Sequence, residues 1–364
     1  MDIFYPALTN DATAVQFLDS LAKLRDQHAT IQHWRNRRDQ PGQADILPTA
    51  WAELREAGWR AVLLPEAADG FDLPLSTVIL AARELGRSLA GVPFLSNCIL
   101  LPWLLRSAPE DVARGFLAGE GHWGLAIERE HTAFAASRSG TDLIVQGEAA
   151  FALDAMGADA LICAAMLDGQ DAILMLPMTE DISVTRQVLV DERNCAKVSV
   201  PGTLRLPENA VLAEGRAATA LLEQLRDVAA LGLAAEMLGI TETAFEMAVD
   251  YLKVRKQFGV TIGSFQALQH RCARAFCELE LARGLLAGLA NPDADELPRA
   301  ASLAKAGIGR AAVDILSEAF QFHGGIAMTD EFDIGLLLKR LHVAERQFGS
   351  RRYHEDRIGL LLGY

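Results

Sequence analysis

The chain has 364 residues, of which 51% are hydrophobic, and a net charge of −14, enough for a sizeable core and two or three domains. Its charges are scattered and collect in no basic stripe, which excludes a nucleic-acid surface and disfavours an anionic membrane. No apolar run is expected to reach the roughly 18 residues of a membrane span, and MDIFYPALTND at the N-terminus has no basic segment leading into an apolar one, so a cytoplasmic protein is expected.

From Asp11 to about Leu117 the rhythm is helical. FLDSLAKLRDQ (17–27) sets Phe17, Leu18, Leu21 and Leu24 at three-and-four spacing, and STVILAARELGRSLAG (76–91) opens on Ser76 as a cap and stops at Gly91 before Pro93. GWRAVLLPEAADGF (58–71), broken by Pro65 and Gly70, reads as a connector. After Gly119 the texture changes to short β-leaning runs, among them HWGLAIERE, ALICAAML, DAILMLPM and AKVSVPGTLRL, separated by Gly, Asp and Pro. That is the pattern of a small β-sandwich or barrel. From Ala213 helical rhythm returns to the end, interrupted by the polar turn NPDADELP (291–298), and long alanine-rich helices joined by short turns predict an antiparallel bundle. The fold class is therefore α+β multidomain, with a helical domain over 1–119, a β domain over 120–212 and a four-helix bundle over 213–364. The five cysteines, Cys98, Cys163, Cys195, Cys272 and Cys277, form no CxxC pair and lack histidines at ligand spacing, so they read as reduced core thiols and no metal site is expected.

Two stretches of the C-terminal part carry chemistry: YLKVRKQFGVTIGSFQALQH (251–270) and FQFHGGIAMTDEF (320–332). With the helical, β, helical order, they resemble the acyl-CoA dehydrogenase family. Its C-terminal fingerprint is an Arg-x-Gln-Phe-Gly, then a Phe-Gln, then a Gln-x-x-Gly-Gly. These stand here as Arg255, Gln257, Phe258 and Gly259, then Phe265 and Gln266, then Gln321, Gly324 and Gly325. EAGWRAVLLPEAADGF and RELGRSLAGVPF match the N-terminal domain more loosely.

The resemblance implies FAD as cofactor, an acyl-CoA substrate and an electron-transfer flavoprotein as redox partner. It also implies that these residues reach across a subunit interface to a neighbour's FAD. The residue types suit that role: Arg255 offers a forked, permanent cation to a pyrophosphate, Gln257 and Gln321 offer neutral hydrogen bonds, and Gly324 and Gly325 let backbone approach without a Cβ. Read without the resemblance, Arg255 is a surface charge, Phe258 and Phe265 are core and the Gly pair is a helix stop. Three spaced elements in order outweigh that. His270, His323 and His342 receive no role.

The departures from the family are as informative. Its members remove an α-proton with a glutamate while the β-hydride passes to the flavin. The usual glutamate position falls in RQFGSRR (346–352) on Phe348, and the alternative one, near the start of the first long C-terminal helix, falls in DVAALG on Ala229, next to Ala230. Asp227 and Glu345 are the nearest carboxylates: Asp227, two residues before Ala229, is turned roughly 200° from it on a helix, Glu345 is three residues from Phe348, and either could replace the base only if its side chain has the reach that general-base catalysis requires. In the β domain, the two threonines that bond the flavin's polar edge correspond to Ile127 in IERE and Leu153 in FALD. Each lost partner would cost about 1–3 kcal/mol if the edge were buried.

Residues that serve a neighbour's FAD remain, whereas those that hold this chain's own flavin and take the proton have gone. The arrangement resembles the non-catalytic chain of the α2β2 acyl-CoA dehydrogenases that act on steroid side chains, and it implies a second acyl-CoA dehydrogenase chain as partner. The alternatives are a homotetrameric dehydrogenase with a relocated base, a flavin-holding acyl-CoA lyase or desulfinase, and a scaffold subunit that binds neither flavin nor thioester.

Overall fold

The computed structural model describes residues 11–40 and 46–364; the N-terminal segment examined for a leader lies almost wholly outside them. In chain order the helices are α1 (Ala12–His28), α2 (Ile31–Arg38), α3 (Pro48–Glu56), α4 (Leu75–Gly86), a π-helical stretch (Leu95–Leu100) running into α5 (Leu101–Leu105), and α6 (Glu110–Ala118). Eight strands follow: β1 (Trp123–Ala126), β2 (Thr132–Ser139), β3 (Asp142–Leu153), β4 (Ala160–Leu167), β5 (Gln170–Pro177), β6 (Ser183–Arg186), β7 (Cys195–Pro207) and β8 (Val211–Glu214). After them come α7 (Gly215–Val254), the short strands β9 (Lys256–Gln257) and β10 (Val260–Thr261), α8 (Gln266–Leu289), α9 (Leu297–His323), α10 (Ile334–Arg346) and α11 (Arg351–Leu361). The expected helical, β, helical order is present.

Contacts divide the chain into two compact units that interleave in sequence. One takes the chain through Asp39, Pro74–Ala90 and Ala230–Tyr364; the other takes Gln40–Leu73 and Gly91–Ala229. Helix α7 starts in the second and continues in the first.

The second unit is built on one eight-stranded sheet of order β6-β7-β3-β1-β4-β5-β8, with β2 pairing both β3 and β4. Strands β1 and β2 thus share the gap between β3 and β4, and residues 127–131 form the break between them. Both run parallel to β4, while the other pairings are antiparallel. Alternate residues such as Leu143, Val145, Leu174, Leu176, Val198 and Val200 turn to a common core, the period-2 pattern of strands with one buried face.

In the first unit α9 packs against α8, α10 and α11. Helices α4 and α7 touch backbone to backbone, because a Cβ on Gly239 would occupy the space of the Arg83 carbonyl; only glycine permits that approach. At this crossing Glu242, fully buried, accepts from Arg83 (2.8 Å), Arg87 (3.0 Å) and Arg283 (2.6 Å).

Some local expectations fail. Helix α4 begins at Leu75 after Pro74, whose φ of −64° pre-sets the entry, so Ser76 lies inside the helix and caps nothing; the helix ends at Gly86, well before Gly91. Helix α7 contains a stretch apolar and long enough to cross a membrane, contrary to the sequence reading, but 83% of that stretch is buried within the protein, as in a core helix. Cys98, Cys163 and Cys195 are buried, and burial pushes the Cys195 thiol up to about 12. Cys272 is half-buried and Cys277 exposed, so these two are not core thiols: Cys277 lies on an exposed face of α8. Among the described residues no cluster of potential metal ligands occurs.

Candidate functional site

The fingerprint segment begins where α7 stops. The Arg255 N–H bonds the Tyr251 carbonyl at 2.9 Å, continuing the helix ladder for one residue. The chain then folds into a two-stranded hairpin with Val260 opposite Gln257 and Thr261 opposite Lys256. Its turn is Phe258-Gly259, with φ of 52° and 82°, both left-handed, as a two-residue type I′ hairpin requires. The Ile262 N–H closes the arm on the Arg255 carbonyl at 2.8 Å.

Phenylalanine is a costly choice at positive φ, of order 1–3 kcal/mol, and Phe258 buries nothing in return, being 92% exposed. Phe265 stands edge-on to it, with ring centroids 6.4 Å apart, and is also exposed. The expectation that both phenylalanines are core, drawn without the family resemblance, is therefore wrong. Gln266 opens α8. The side chains of Arg255, Gln257 and Gln266 are exposed and make no hydrogen bond or ion pair among the described residues.

The second cluster lies at the end of α9. Gly324 has φ 64° and ψ −144°, a conformation open essentially to glycine alone, and its N–H bonds the carbonyls of Gln321 and Phe320. A Cβ on Gly324 or Gly325 would meet nothing within 4 Å, so the space over the pair is open. The Gln321 side chain is exposed and likewise without a partner among the described residues. An exposed guanidinium fork, carboxamides and an open Gly-Gly turn are the donor set a diphosphate needs. These residues have the chemistry to hold the phosphate half of FAD.

The ring half does not fit this chain. Ile127 is buried just past β1, and Leu153 ends β3, paired in register with Leu125. The topology therefore brings the two runs read as flavin-edge strands to one end of the sheet, and both candidate positions carry methyl groups where the ring requires donors.

Neither expected base position carries an acid. Ala229 is fully buried in α7, and Phe348 is 1% exposed with φ 53°. Glu345 is engaged elsewhere: it accepts from the Arg351 N–H at 2.8 Å at the start of α11 and pairs with Arg346 at 3.1 Å. Asp227 is buried in α7.

The loop at Phe348 is held by residues the sequence reading did not single out. Lys305, 1% exposed, donates to the carbonyls of Ala344 (2.7 Å) and Gln347 (2.6 Å) at the end of α10. The His354 Nε2 donates to the Phe348 carbonyl at 3.0 Å, leaving Nδ1 to accept from the Ser302 hydroxyl at 3.3 Å. The available signal was a single lysine in the alanine-rich stripe SLAKAG, a cation that must find carbonyls or counter-charges if buried.

If Arg255 grips a pyrophosphate, Arg255→Ala should weaken FAD retention by the assembled protein by roughly 1.5–3 kcal/mol, the worth of a bond to a charged group. Arg255→Lys should recover only part, since an ammonium has no bidentate fork. Equilibrium flavin release measured by fluorescence reads the difference, and unchanged retention in the alanine variant would return Arg255 to a surface role.

Residues 219–360 match the family model described as acyl-CoA dehydrogenase, C-terminal domain. Acyl-CoA dehydrogenase IpdE2 of Mycolicibacterium smegmatis is 29% identical over 346 residues, covering 93% of this chain and 96% of that protein. The protein of the same name from Mycobacterium tuberculosis is 28% identical, with 83% of each covered. Among solved structures, the ChsE4–ChsE5 complex from Mycobacterium tuberculosis superposes with a TM-score of 0.86 at 20% identity, covering 100% of this chain and 99% of that one. A variant of the Tcur3481–Tcur3483 steroid ACAD does so with a TM-score of 0.82 at 24% identity, covering 96% and 97%.

Proposed function

We infer that this chain belongs to the acyl-CoA dehydrogenase family and serves in it as the companion subunit of an FAD-dependent α2β2 dehydrogenase that desaturates an acyl-CoA thioester. It completes the cofactor site of a base-bearing partner chain and supplies no proton acceptor itself. One observation carries the reading: a fully buried Phe348 occupies the base position, while Arg255, Gln257 and Gln321 stand exposed with no partner among the described residues.

Bound FAD supplies the acceptor for the β-hydride. This chain's residues would bind and orient it: Arg255 would hold pyrophosphate oxygens with its fork, Gln257 and Gln321 would add neutral hydrogen bonds, and the open Gly324-Gly325 turn would leave room for the adenosine half. The acyl group in this reading is steroid-derived, in line with the steroid ACAD that shares the fold, with an electron-transfer flavoprotein as oxidant and a cytoplasmic location.

Expressed alone, the chain should be colourless and inert toward acyl-CoA; expressed with a base-bearing acyl-CoA dehydrogenase chain, it should co-purify as a yellow complex. Near-stoichiometric flavin absorbance in the lone protein would overturn the companion reading and favour a homo-oligomer that holds its own cofactor.

A further inference from the structure

The two halves of the phosphate site sit on the ends of different helices, Arg255 after α7 and Gly324-Gly325 after α9, and no hydrogen bond or ion pair joins the two segments among those described. Their relative position must be set by something else. Tyr251, one turn before Arg255, stacks on His323, the residue before Gly324, with ring centroids 4.6 Å apart and planes at 26°. Phe332 stands edge-on to both, 5.2 Å from His323 and 6.0 Å from Tyr251.

We propose that the Tyr251–His323–Phe332 cluster is the joint that positions the Arg255 hairpin against the Gly324-Gly325 turn, with His323 as its positioning residue. The proposal rests on the half-site reading above.

His323 is 4% exposed and does two things at once. Its Nδ1 lies 2.7 Å from the Ala319 carbonyl; a carbonyl only accepts, so Nδ1 carries the proton. That bond fixes the ring's rotation at the last turn of α9, and the ring face then meets Tyr251. A leucine or phenylalanine would fill the space without fixing the rotation. Nε2 is buried with no hydrogen-bond partner among the described residues, a destabilising arrangement for a group that packing alone does not need.

The third ring is anchored from α2. Arg35 pairs with Asp333 at 2.5 Å, and Arg38 pairs with Asp330 at 2.6 Å, bracketing Phe332. The bond from Arg38 holds the Asp330 carboxyl below its usual range. Because that pKa is depressed in the fold, the anchor is present above the ordinary carboxylate pKa and is lost only as pH falls through the lowered value.

Two substitutions separate the roles of the ring. His323→Asn keeps a short donor for Ala319 and removes the ring; His323→Phe keeps the ring and removes the donor. Hydrogen exchange of the full-length, FAD-free chain reads the joint directly. In His323→Asn the amides of Arg255 and Ile262 should exchange at least about tenfold faster, as 1.4 kcal/mol of lost local stability would give, while α8 and the sheet are unchanged. His323→Phe should give an intermediate acceleration.

A residue that merely completes α9 would speed exchange only around 319–325, and unchanged Arg255 and Ile262 amides in His323→Asn would overturn the proposal. FAD release from the assembled complex separates this from the parent reading. If Arg255→Ala speeds release and His323→Asn does not, the joint is wrong and the half-site stands. If Arg255→Ala also leaves release unchanged, the half-site reading itself falls.

Discussion

Glu242→Ala should cost the fold about 3–5 kcal/mol, the range for removing one partner from a buried charge cluster. Glu242 is fully buried and holds three guanidinium groups: Arg83 of α4, itself fully buried, Arg87 just past the end of that helix, and Arg283 from α8. The last two also reach exposed carboxylates, Arg87 to Glu246 at 2.9 Å and Arg283 to Glu280 at 2.5 Å, so those two cations keep a counter-charge in the variant. Arg83 has no route to solvent, and the Glu84 carboxylate at 3.2 Å also serves Arg25. The loss therefore concentrates on one buried cation at the contact of α4, α7 and α8. With roughly 2–4 °C of melting temperature per kcal/mol for a large domain, the midpoint should fall by about 10 °C. Glu242→Gln should fall less, because the amide oxygen still accepts one bond. A drop below about 1 kcal/mol, the worth of an exposed pair, would mean that water reaches the cluster.

Little of that cluster was legible in the sequence, and the reason is physical. Periodicity reports which face of one element is buried, so the helices and strands could be read in order, but it is silent on which distant element meets that face. Glu242 and Arg283 look like ordinary solvated charges until α7 and α8 pack. The Ser76 cap failed for a related reason: α4 is buried from end to end, so the polar residues that mark a solvated helix start carry no such meaning there. The π-helical stretch at Leu95–Leu100 was also unread. It runs into Pro102, which lacks an N–H and crowds the carbonyl four residues back.

The candidate site divides along the same line. Arg255 to Gln266 was legible because one hairpin and one helix start bring those residues together in chain order, and Gln321 to Gly325 because one helix end does. Tyr251, Phe332, Lys305 and His354 were not, since each acts through a partner from another helix.

The second large effect concerns Phe348, and the expected result is that Phe348→Glu restores no activity while destabilising the chain. In the family that this chain resembles, the position read as equivalent presents a carboxylate to the substrate's α-carbon. Here it presents one of the largest fully buried side chains of the protein, and replacing such a phenylalanine with a smaller residue costs about 3–5 kcal/mol. A carboxylate adds its own desolvation, or takes up a proton and ceases to be a base. The backbone is not the obstacle. His354 holds the Phe348 carbonyl and Lys305 holds Gln347, so the loop should keep its course in the variant. On the companion reading the variant still lacks a bound flavin, because Ile127 and Leu153 offer the ring edge no hydroxyl, and a general base contributes only when its target is held within about 3 Å beside a working acceptor. Two measurements on the lone Phe348→Glu chain check this: an unfolding free energy lowered by at least about 3 kcal/mol, and no bleaching of added FAD by acyl-CoA. Clear turnover would show that the chain's own cleft binds flavin and thioester, making it a dehydrogenase that has lost only its base.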